Sequence, residues 1–286
     1  TQQVSSAASD VYKRQHYNQV IDNIASNTLS GETFISENNI SLKFNHEIKK
    51  LNNEFELYFS SFYGNEYLND QNGDRFSESY YDQILIRPEI KSIFKISEKD
   101  NIIIGFGNRY ESLDRTFFDT KPKHNSQFIY FQYDYNPNKK IKLLFGGRYD
   151  RFNEYKSQIS PKLSGIVEFD EFNLAKISVG YGFKAPDFRQ LYFNFTNSTI
   201  GYSVIGYNVV NDVMGQLIDE DQIVNIIVPI EEFDNSLSPE SSFSVNLGFE
   251  TSIVKNFKFS ANFFNNSTSN LTVSYTHLTL PTTPVV

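Results

Sequence analysis

Apolar and polar side chains alternate between residues 175 and 184, and this pattern constrains the fold more than any other feature. Successive side chains of a β-strand point to opposite faces, so one face of this segment would be apolar. The residues on that face are Ala175, Ile177, Val179, Tyr181 and Phe183. Pro186 then ends the strand, because proline has no N–H to donate and biases Ala185 towards an extended conformation. A strand with one apolar and one hydrated face is typical of a membrane β-barrel wall.

The same alternation recurs in ten segments, which predicts ten antiparallel strands. The segments are 40–48, 55–63, 84–96, 102–110, 129–135, 141–149, 163–169, 175–183, 243–249 and 257–263. Their second faces are polar or small, and in a barrel these faces would line the lumen. The residues expected there include Arg109, Gln132, Arg148 and Asp150. The sequence therefore predicts an all-β fold, a transmembrane antiparallel up-and-down β-barrel of which this chain supplies about ten strands.

The connections between these segments alternate between short and long. Short connections lie near 49–53, 98–101, 136–140, 170–173 and 254–256, and long polar ones near 64–78, 113–125, 153–160 and 187–237. Short periplasmic turns and long extracellular loops on opposite rims are typical of outer-membrane barrels. The tyrosines near strand ends, expected in an aromatic girdle at the membrane interface, are Tyr63, Tyr110, Tyr149 and Tyr155.

Two residues fit the predicted lipid face poorly. Pro88 would remove a ladder hydrogen bond inside the third segment, so we expect a β-bulge there. His46 is expected near the rim of the barrel, close to the turn at Lys49.

The composition agrees with a strand-rich membrane protein and excludes some partners. The 286 residues include 27 Phe and 18 Tyr, and no run approaches the roughly 18 apolar residues of a membrane helix. A net charge of −8, without a basic stripe, argues against nucleic-acid binding. The absence of cysteine does not distinguish an oxidising compartment from a reducing one.

The longest loop is the best candidate for function, because binding residues concentrate in loops on a rigid scaffold. Residues 209–228 have apolar side chains at helical spacing: Val210, Val213, Met214, Leu217 and Val224. Asn211 or Asp212 could cap this helix and Pro229 could end it. The helix could simply cover the barrel mouth, or it could be a lid that contacts ligand.

The residues expected to bind a ligand lie at the end of the strand at 175–184 and in the loop that follows. They are Lys184, Asp187, Arg189, Tyr192, Phe193, Phe195, Tyr202 and Tyr207. The aromatic residues could stack on a ligand at the entrance. The charged residues, together with Arg148 and Asp150, could contact ligand or a plug, or could pair across adjacent strands.

Three motifs resemble those of TonB-dependent outer-membrane receptors. They are GFKAPDFRQLY at 182–192, GGRYDRFNEYKSQISPKLSG at 146–165, and SLSPESSFSVNLGFE at 236–250. In the third motif Asn246 replaces the acidic residue usual in the family. Their order, spacing and strand direction agree with the family. The run LYFNFTNSTIGYSVIG at 191–206 looks like receptors from the Bacteroidota.

The resemblance covers about residues 16–272 and implies the barrel of an energised importer of siderophores, cobalamin, sugars or similar scarce ligands. It also implies a roughly 22-stranded barrel with a plugged lumen, so over half of the wall would lie outside this chain. The implied partners are the lipid bilayer, a small-molecule or chelate ligand, and the TonB complex, which would act through an N-terminal plug region.

Both ends of the chain differ from the alternating pattern beside them. We expect both to be non-native, adaptor-derived sequence. They are residues 1–15, TQQVSSAASDVYKRQ, and about 273–286, VSYTHLTLPTTPVV. The chain would then be an internal receptor fragment, and a missing signal peptide would carry no information about secretion.

Catalytic motifs are weak in this sequence, so we expect no enzymatic activity and no metal or cofactor. The four histidines lack metal-ligand spacing, and no G-x-S-x-G motif occurs. Three alternatives stay open: a passive porin or channel, an outer-membrane enzyme that uses His46, and a soluble all-β binding domain.

Overall fold

The computed structural model describes residues 13–20, 28–70, 72–197, 202–220, 226, 228–233, 237–254 and 257–272. Within this part of the chain the strands are β1 (Lys13–Val20), β2 (Thr28–Ile48), β3 (Leu51–Asn69), β4 (Arg75–Lys95), β5 (Asn101–Arg115), β6 (Lys123–Tyr135), β7 (Ile141–Phe152), β8 (Gln158–Glu168), β9 (Asn173–Lys184), β10 (Asn194–Asn197), β11 (Tyr202–Ile205), β12 (Glu240–Val254) and β13 (Phe257–Ser269). The α-helices are α1 (Phe188–Tyr192) and α2 (Val210–Asp219), and 3₁₀ turns occur at Tyr207–Val209 and Ile230–Phe233. None of the helices in the described ranges is long and apolar enough to cross a membrane.

Eleven strands form one antiparallel sheet in the order β1 to β9, then β12 and β13. The ten predicted segments are β2 to β9, β12 and β13, so the meander is confirmed. Strand β1 was not predicted, and neither was the separate β10–β11 hairpin, which lies between β9 and β12. The sheet ends at β1 and β13 and does not close within the described residues.

The cross-strand register aligns the apolar side chains into a band across one face of the sheet. On β3 and β4, Leu51 pairs with Phe94, Phe55 with Ile90, and Phe59 with Ile86. On later strands the matched apolar pairs are Ile90 with Phe106, Phe106 with Ile129, Tyr133 with Phe145, Phe145 with Leu163, and Leu247 with Phe263. Many of these side chains are exposed, including Phe106 at 52% and Phe263 at 62%. A broad exposed apolar band suits contact with lipid and not with water.

The strands extend well beyond the band, which corrects the predicted long loop at 64–78 and shortens the one at 113–125. At its outer edge Asn38 pairs with Ser61 and Asp82 with Asp114, yet the ladders continue past these polar pairs. Strands β3 and β4 have 19 and 21 residues, although about 9–11 suffice to cross a bilayer. The segment 64–78 is therefore mostly strand, whereas 113–125 keeps a loop at 116–122 between β5 and β6. Apolar alternation marks contact with lipid, whereas backbone pairing needs no apolar side chain.

The bulge predicted at Pro88 is wrong. Pro88 lies opposite Leu57 on β3, and the register towards β5 is the same before and after it, with Ile86 opposite Tyr110 and Glu89 opposite Gly107. The missing N–H therefore interrupts pairing with β5 locally without inserting a residue. The prediction for His46 is confirmed, since its ring stacks near Phe44 on the apolar face beside the β2–β3 turn.

Two aromatic rings lie flat across glycines on the polar face of the sheet. The Tyr130 ring covers Gly105, and its hydroxyl donates to Glu89 Oε1 at 2.7 Å. Phe128, 3% exposed, covers Gly107, where an added Cβ would overlap the ring and lie 2.9 Å from the Pro88 carbonyl oxygen. Because glycine has no side chain, the rings can pack directly on the β5 backbone.

The short turns at the opposite rim are held by carboxylates. Asp100 Oδ1 accepts the Asn136 N–H at 2.7 Å, and Asp100 Oδ2 accepts the Ser97 hydroxyl at 2.8 Å. These hydrogen bonds hold the pKa of the Asp100 carboxyl below its usual value. Two neighbouring turns are thereby joined at this rim.

Replacing Phe106 with Arg would place a charge in the apolar band. A charge near the bilayer midplane of a barrel costs about 2–4 kcal/mol, so we expect a lower unfolding temperature for the full-length barrel. Heat-modified gel mobility of the purified protein measures this temperature. Phe76→Arg is the matched control, because Phe76 lies on β4 beyond the band and is already 65% exposed. Equal effects of the two substitutions would contradict the position of the band.

Candidate functional site

The chain leaves β9 at Lys184 and turns onto the polar face of the sheet through Ala185 and a buried Pro186. Asp187 then begins α1 with a capping box. Its carboxylate accepts the Gln190 N–H at 2.8 Å, and Gln190 Oε1 accepts the Asp187 N–H at 2.8 Å. This reciprocal pairing satisfies N–H groups at the start of a short helix. The sequence Ala-Pro-Asp thus ends a strand and begins a helix within three residues.

Helix α1 contacts strand β6 and the β5–β6 and β7–β8 loops. Phe188 and Leu191 are 6% and 2% exposed. The Phe188 ring stacks on His124 of β6 with ring centroids 4.1 Å apart. Tyr192 lies near Phe118, and its hydroxyl donates to Glu154 Oε2 at 3.4 Å. The helix is therefore anchored at a fixed place on the polar face.

A cavity of about 440 Å³ lies beneath α1. Its floor and walls come from neighbouring strands and the β7–β8 loop, through Tyr81, Gln83, Arg109, Glu111, His124 and Tyr155. Residues 185–189, which include the start of α1, form the remaining side. The cavity combines aromatic surface with both signs of charge, and this combination suits a polar ligand with apolar parts.

Some polar groups of the cavity have hydrogen-bond partners, and the His124 imidazole lacks one at Nε2 among the described residues. Arg109 Nη2 lies 2.8 Å from Glu111 Oε2, and Gln83 donates to the same carboxylate. In contrast, His124 Nε2 is buried and has no hydrogen-bond partner in the described part of the chain. A buried polar atom without a partner is costly, and a bound ligand could satisfy it.

Phe193 and Phe195 belong to an aromatic layer with the β5–β6 loop. Phe117 contacts both rings, with centroids 5.8 Å from Phe193 and 4.9 Å from Phe195. The Asn194 N–H donates to the Phe117 carbonyl oxygen at 2.8 Å. The predicted aromatic residues therefore support the loop through packing, and their role in ligand contact stays a proposal.

Gly206 brings the two arms of this loop into backbone contact. A Cβ at this position would lie 2.5 Å from Tyr192 N and 2.6 Å from Phe193 N. The Gly206 N–H donates to the Phe193 carbonyl oxygen at 2.5 Å. The close approach requires glycine, because any side chain would push the arms apart.

Helix α2 exists, but its ends differ from those predicted. Its N-cap residue is Val209, which makes no side-chain capping bond, so neither Asn211 nor Asp212 caps it. The helix ends at Asp219, well before Pro229, and Val224 lies outside the described residues. A preceding 3₁₀ turn at Tyr207–Val209 moves the start of α2 upstream of both candidate caps.

The remaining predicted ligand residues have different surroundings. Asp187 and Arg189 line the cavity. Lys184 Nζ instead pairs with Glu240 Oε1 at 3.2 Å across β9 and β12. The Tyr207 hydroxyl donates to the Glu232 carbonyl oxygen at 3.1 Å. Tyr202 lies in β11, and its side chain is outside the described part of the structure.

The four residues expected in the lumen carry short hydrogen bonds on the polar face. Arg148 binds Asp150 in bidentate fashion at 2.7–3.0 Å, and Gln132 donates to Asp134 at 2.8 Å. Arg109 pairs with Glu111 in the same way. The expected pairing across adjacent strands holds for Lys184 with Glu240. It is wrong for Arg148 and Asp150, which pair along β7, because residues two apart on one strand share a face and lie within reach of a long side chain.

Sequence reasoning missed His124 and misplaced Tyr155. The histidine spacing assigns His124 no role, although the alternation of β6 puts it on the same face as Ser126 and Phe128. Tyr155 was predicted in an interfacial girdle, but its ring packs against Phe152 and His124 in the cavity. Among the described residues, no group of three or more His, Cys, Asp or Glu could hold a metal ion.

Gly206→Ala should release the loop that carries α1. The new Cβ meets backbone atoms, which give way less easily than a side-chain tip, so α1 must shift. Limited proteolysis of the full-length protein should show faster cleavage between residues 185 and 239. Gly215→Ala in α2 is the control, because nothing lies within 4 Å of its Cβ position. Equal cleavage rates for the two variants would disprove the close approach at Gly206.

Burial raises the pKa of the Tyr155 phenol, so its neutral form is favoured in the folded state. Its stabilising contribution is complete below the unfolded-state pKa of about 10 and is lost as pH rises through the folded-state pKa. Tyr155→Phe keeps the ring and removes the titration. Between about pH 9 and pH 11 the unfolding temperature should therefore fall less in this variant than in the wild type. Parallel curves would contradict burial of the hydroxyl.

Solved structures of low sequence identity share this fold. The siderophore receptor PirA from Pseudomonas aeruginosa matches with a TM-score of 0.50 at 14% identity, over 91% of this chain and 52% of that one. PirA from Acinetobacter baumannii matches at 0.59 and 11%, over 87% and 42%. The hemophore receptor HasR of Serratia marcescens, solved with its hemophore HasA and heme, matches at 0.61 and 11%, over 90% and 45%. The chain thus spans about half the length of these proteins, and a search of curated protein sequences finds no match.

The family assignment comes from the amino-acid sequence and not from structural similarity. The family described as "TonB dependent receptor-like, beta-barrel" matches residues 2–284. The family and the structural neighbours are transport receptors of the outer membrane and not enzymes. This agrees with the apolar band, the antiparallel meander and the long loop after β9. The chain therefore belongs to the TonB-dependent receptor family and supplies part of its outer-membrane β-barrel.

Proposed function

We propose that the full-length protein binds a scarce extracellular ligand, such as a siderophore, cobalamin or a sugar, and imports it with energy from the TonB complex. The observation that carries this proposal is the cavity under α1, on the polar face and beyond the apolar band. Binding residues held there by a packed loop would face the interior of a complete barrel. The matched siderophore and hemophore receptors support a receptor of this class.

Asp187 and Arg189 are the predicted ligand residues with the best position for direct contact, because both line the cavity. His124 and Tyr155 join them as candidate contacts that the structure adds. We propose that Tyr192, Phe193 and Phe195 contribute indirectly by holding α1 and its loop in place. We propose that Lys184, Tyr202 and Tyr207 contact the ligand at the outer entrance of the barrel.

The TonB complex would act through a plug region inside the complete barrel. The polar face offers such a plug a surface of fixed charges, because Arg148 and Asp150 are held by mutual hydrogen bonds. We propose that this ion pair faces the plug and not the ligand, because Arg148 and Asp150 precede the cavity-lining Phe152 on β7 and do not line the cavity themselves.

Complementation tests this proposal. The full-length gene would be expressed in a Gram-negative host that lacks its own receptors, with TonB present or deleted. Growth would be measured on limiting iron with added ferric siderophores, on cobalamin, and on oligosaccharides as carbon source. We expect at least one condition in which growth requires both the receptor and TonB.

The alternative functions give different results in the same strains. Growth that persists without TonB, with open conductance of the purified protein in planar bilayers, would show a passive channel instead. Hydrolase activity lost in His46→Ala would show an enzyme, but His46 stacks with Phe44 on the lipid-facing band. Solubility as a monomer without detergent would favour a soluble binding domain and would contradict the apolar band.

A further inference from the structure

We infer that Arg115 and Arg189 form a subsite for an oxyanion group of the imported ligand. This inference rests on the proposed receptor function and adds the chemistry of one part of the ligand. The two residues are called the arginine pair below. Arg115 is the last residue of β5, and Arg189 lies in α1 beside the cavity.

The Arg115 guanidinium is held among three aromatic rings. Its central carbon lies 5.2 Å from the Phe193 ring centroid, 5.6 Å from that of Tyr81 and 5.7 Å from that of Phe118. Its Nε donates to the Thr116 carbonyl oxygen at 3.2 Å. A guanidinium has five N–H donors, and the other four make no hydrogen bond to any described residue. The group is therefore oriented and partly dehydrated, with donors left over.

Arg189 brings a second positive charge to the surroundings of Tyr81. The Tyr81 ring lies 5.6 Å from the Arg115 guanidinium carbon, and Tyr81 lines the cavity together with Arg189. Burial and, to a smaller extent, the Arg189 charge lower the pKa of the Arg115 guanidinium. Within the described residues, no carboxylate lies at ion-pair distance from either arginine.

The nearest carboxylates already have other partners. Asp187 caps α1 through the Gln190 N–H, and Glu111 is bound by Arg109 and Gln83. By comparison, Arg109 and Arg148 on the same face each have a carboxylate partner. The two guanidinium charges repel each other, and partial burial strengthens this repulsion. An anion bound between them would be attracted to both and would offset the repulsion. Planar guanidinium groups bind oxyanions well because they offer paired N–H donors.

The side of the sheet identifies the source of the oxyanion. Arg115 has the same strand parity as Arg109 and Glu111, so it lies on the polar face, opposite the apolar band. Lipid headgroups would approach the other face. The oxyanion therefore belongs to a ligand inside the barrel, for example a carboxylate or a phosphate of that ligand.

The test uses the full-length protein in detergent, with citrate and inorganic phosphate as anion probes at constant ionic strength. Thermal unfolding against probe concentration gives an apparent affinity. We expect citrate to raise the unfolding temperature of the wild type. Arg115→Gln and Arg189→Gln should each weaken the apparent affinity roughly tenfold or more, as expected for a lost charge-assisted hydrogen bond. Arg189→Lys should keep part of the response.

Arg151→Gln is the matched control, because it removes one positive charge from β7 on the opposite face, where Arg151 pairs with Gln127. Its citrate response should equal that of the wild type. If Arg115→Gln fails to fold, Arg189→Glu decides the question, since Arg189 is exposed and reversal of its charge should abolish the response.

Two results would overturn the arginine pair as an anion site. They are no citrate or phosphate effect on the wild type, and an unchanged effect in both glutamine variants. TonB-dependent growth without a probe response would remove this inference and leave the proposed function intact. A probe response without TonB-dependent growth would remove the proposed function and leave the anion site.

Discussion

The cross-strand register is the constraint on which the rest of this structure depends. Because strand side chains alternate with a period of two, a slip of one residue would move every Phe and Ile of a strand from the lipid face to the polar face. Pairs such as Phe55 with Ile90 and Phe106 with Ile129 show that the register keeps the apolar residues level. Because the apolar band lies at one level across the sheet, the polar ends of β3 to β6 extend beyond it together, and these ends can carry a site.

The polar face has its own packing, which stiffens the sheet beneath the cavity. Tyr130 and Phe128 lie across Gly105 and Gly107, and the Arg148 guanidinium lies 4.0 Å from the Phe128 ring centroid. Bonds such as Tyr130 to Glu89 span three strands. A stiff floor matters for binding, because groups that are already held in place lose less entropy when a ligand arrives.

Much of the fold could be predicted from the sequence, because apolar alternation, proline breaks and polar turns are local signals. The ten main strands, the single long loop and the position of His46 followed from those signals. Strand ends and pairings did not, since the predicted bulge at Pro88 is absent and Arg148 pairs along its own strand. The candidate site was predicted least well. Asp187 and Arg189 were found from a motif, but His124, Tyr155 and Arg115 lie far from that motif in sequence.

The sequence by itself determined which face of each strand meets lipid and where the chain leaves β9, because both depend on residues close together in the chain. Only the tertiary structure decided what the loop covers. The stacking of Phe188 on His124 and the approach of Gly206 to Tyr192 join segments that no local pattern connects. The site therefore arises from long-range packing of a loop on a sheet, and its chemistry becomes visible only when those segments meet.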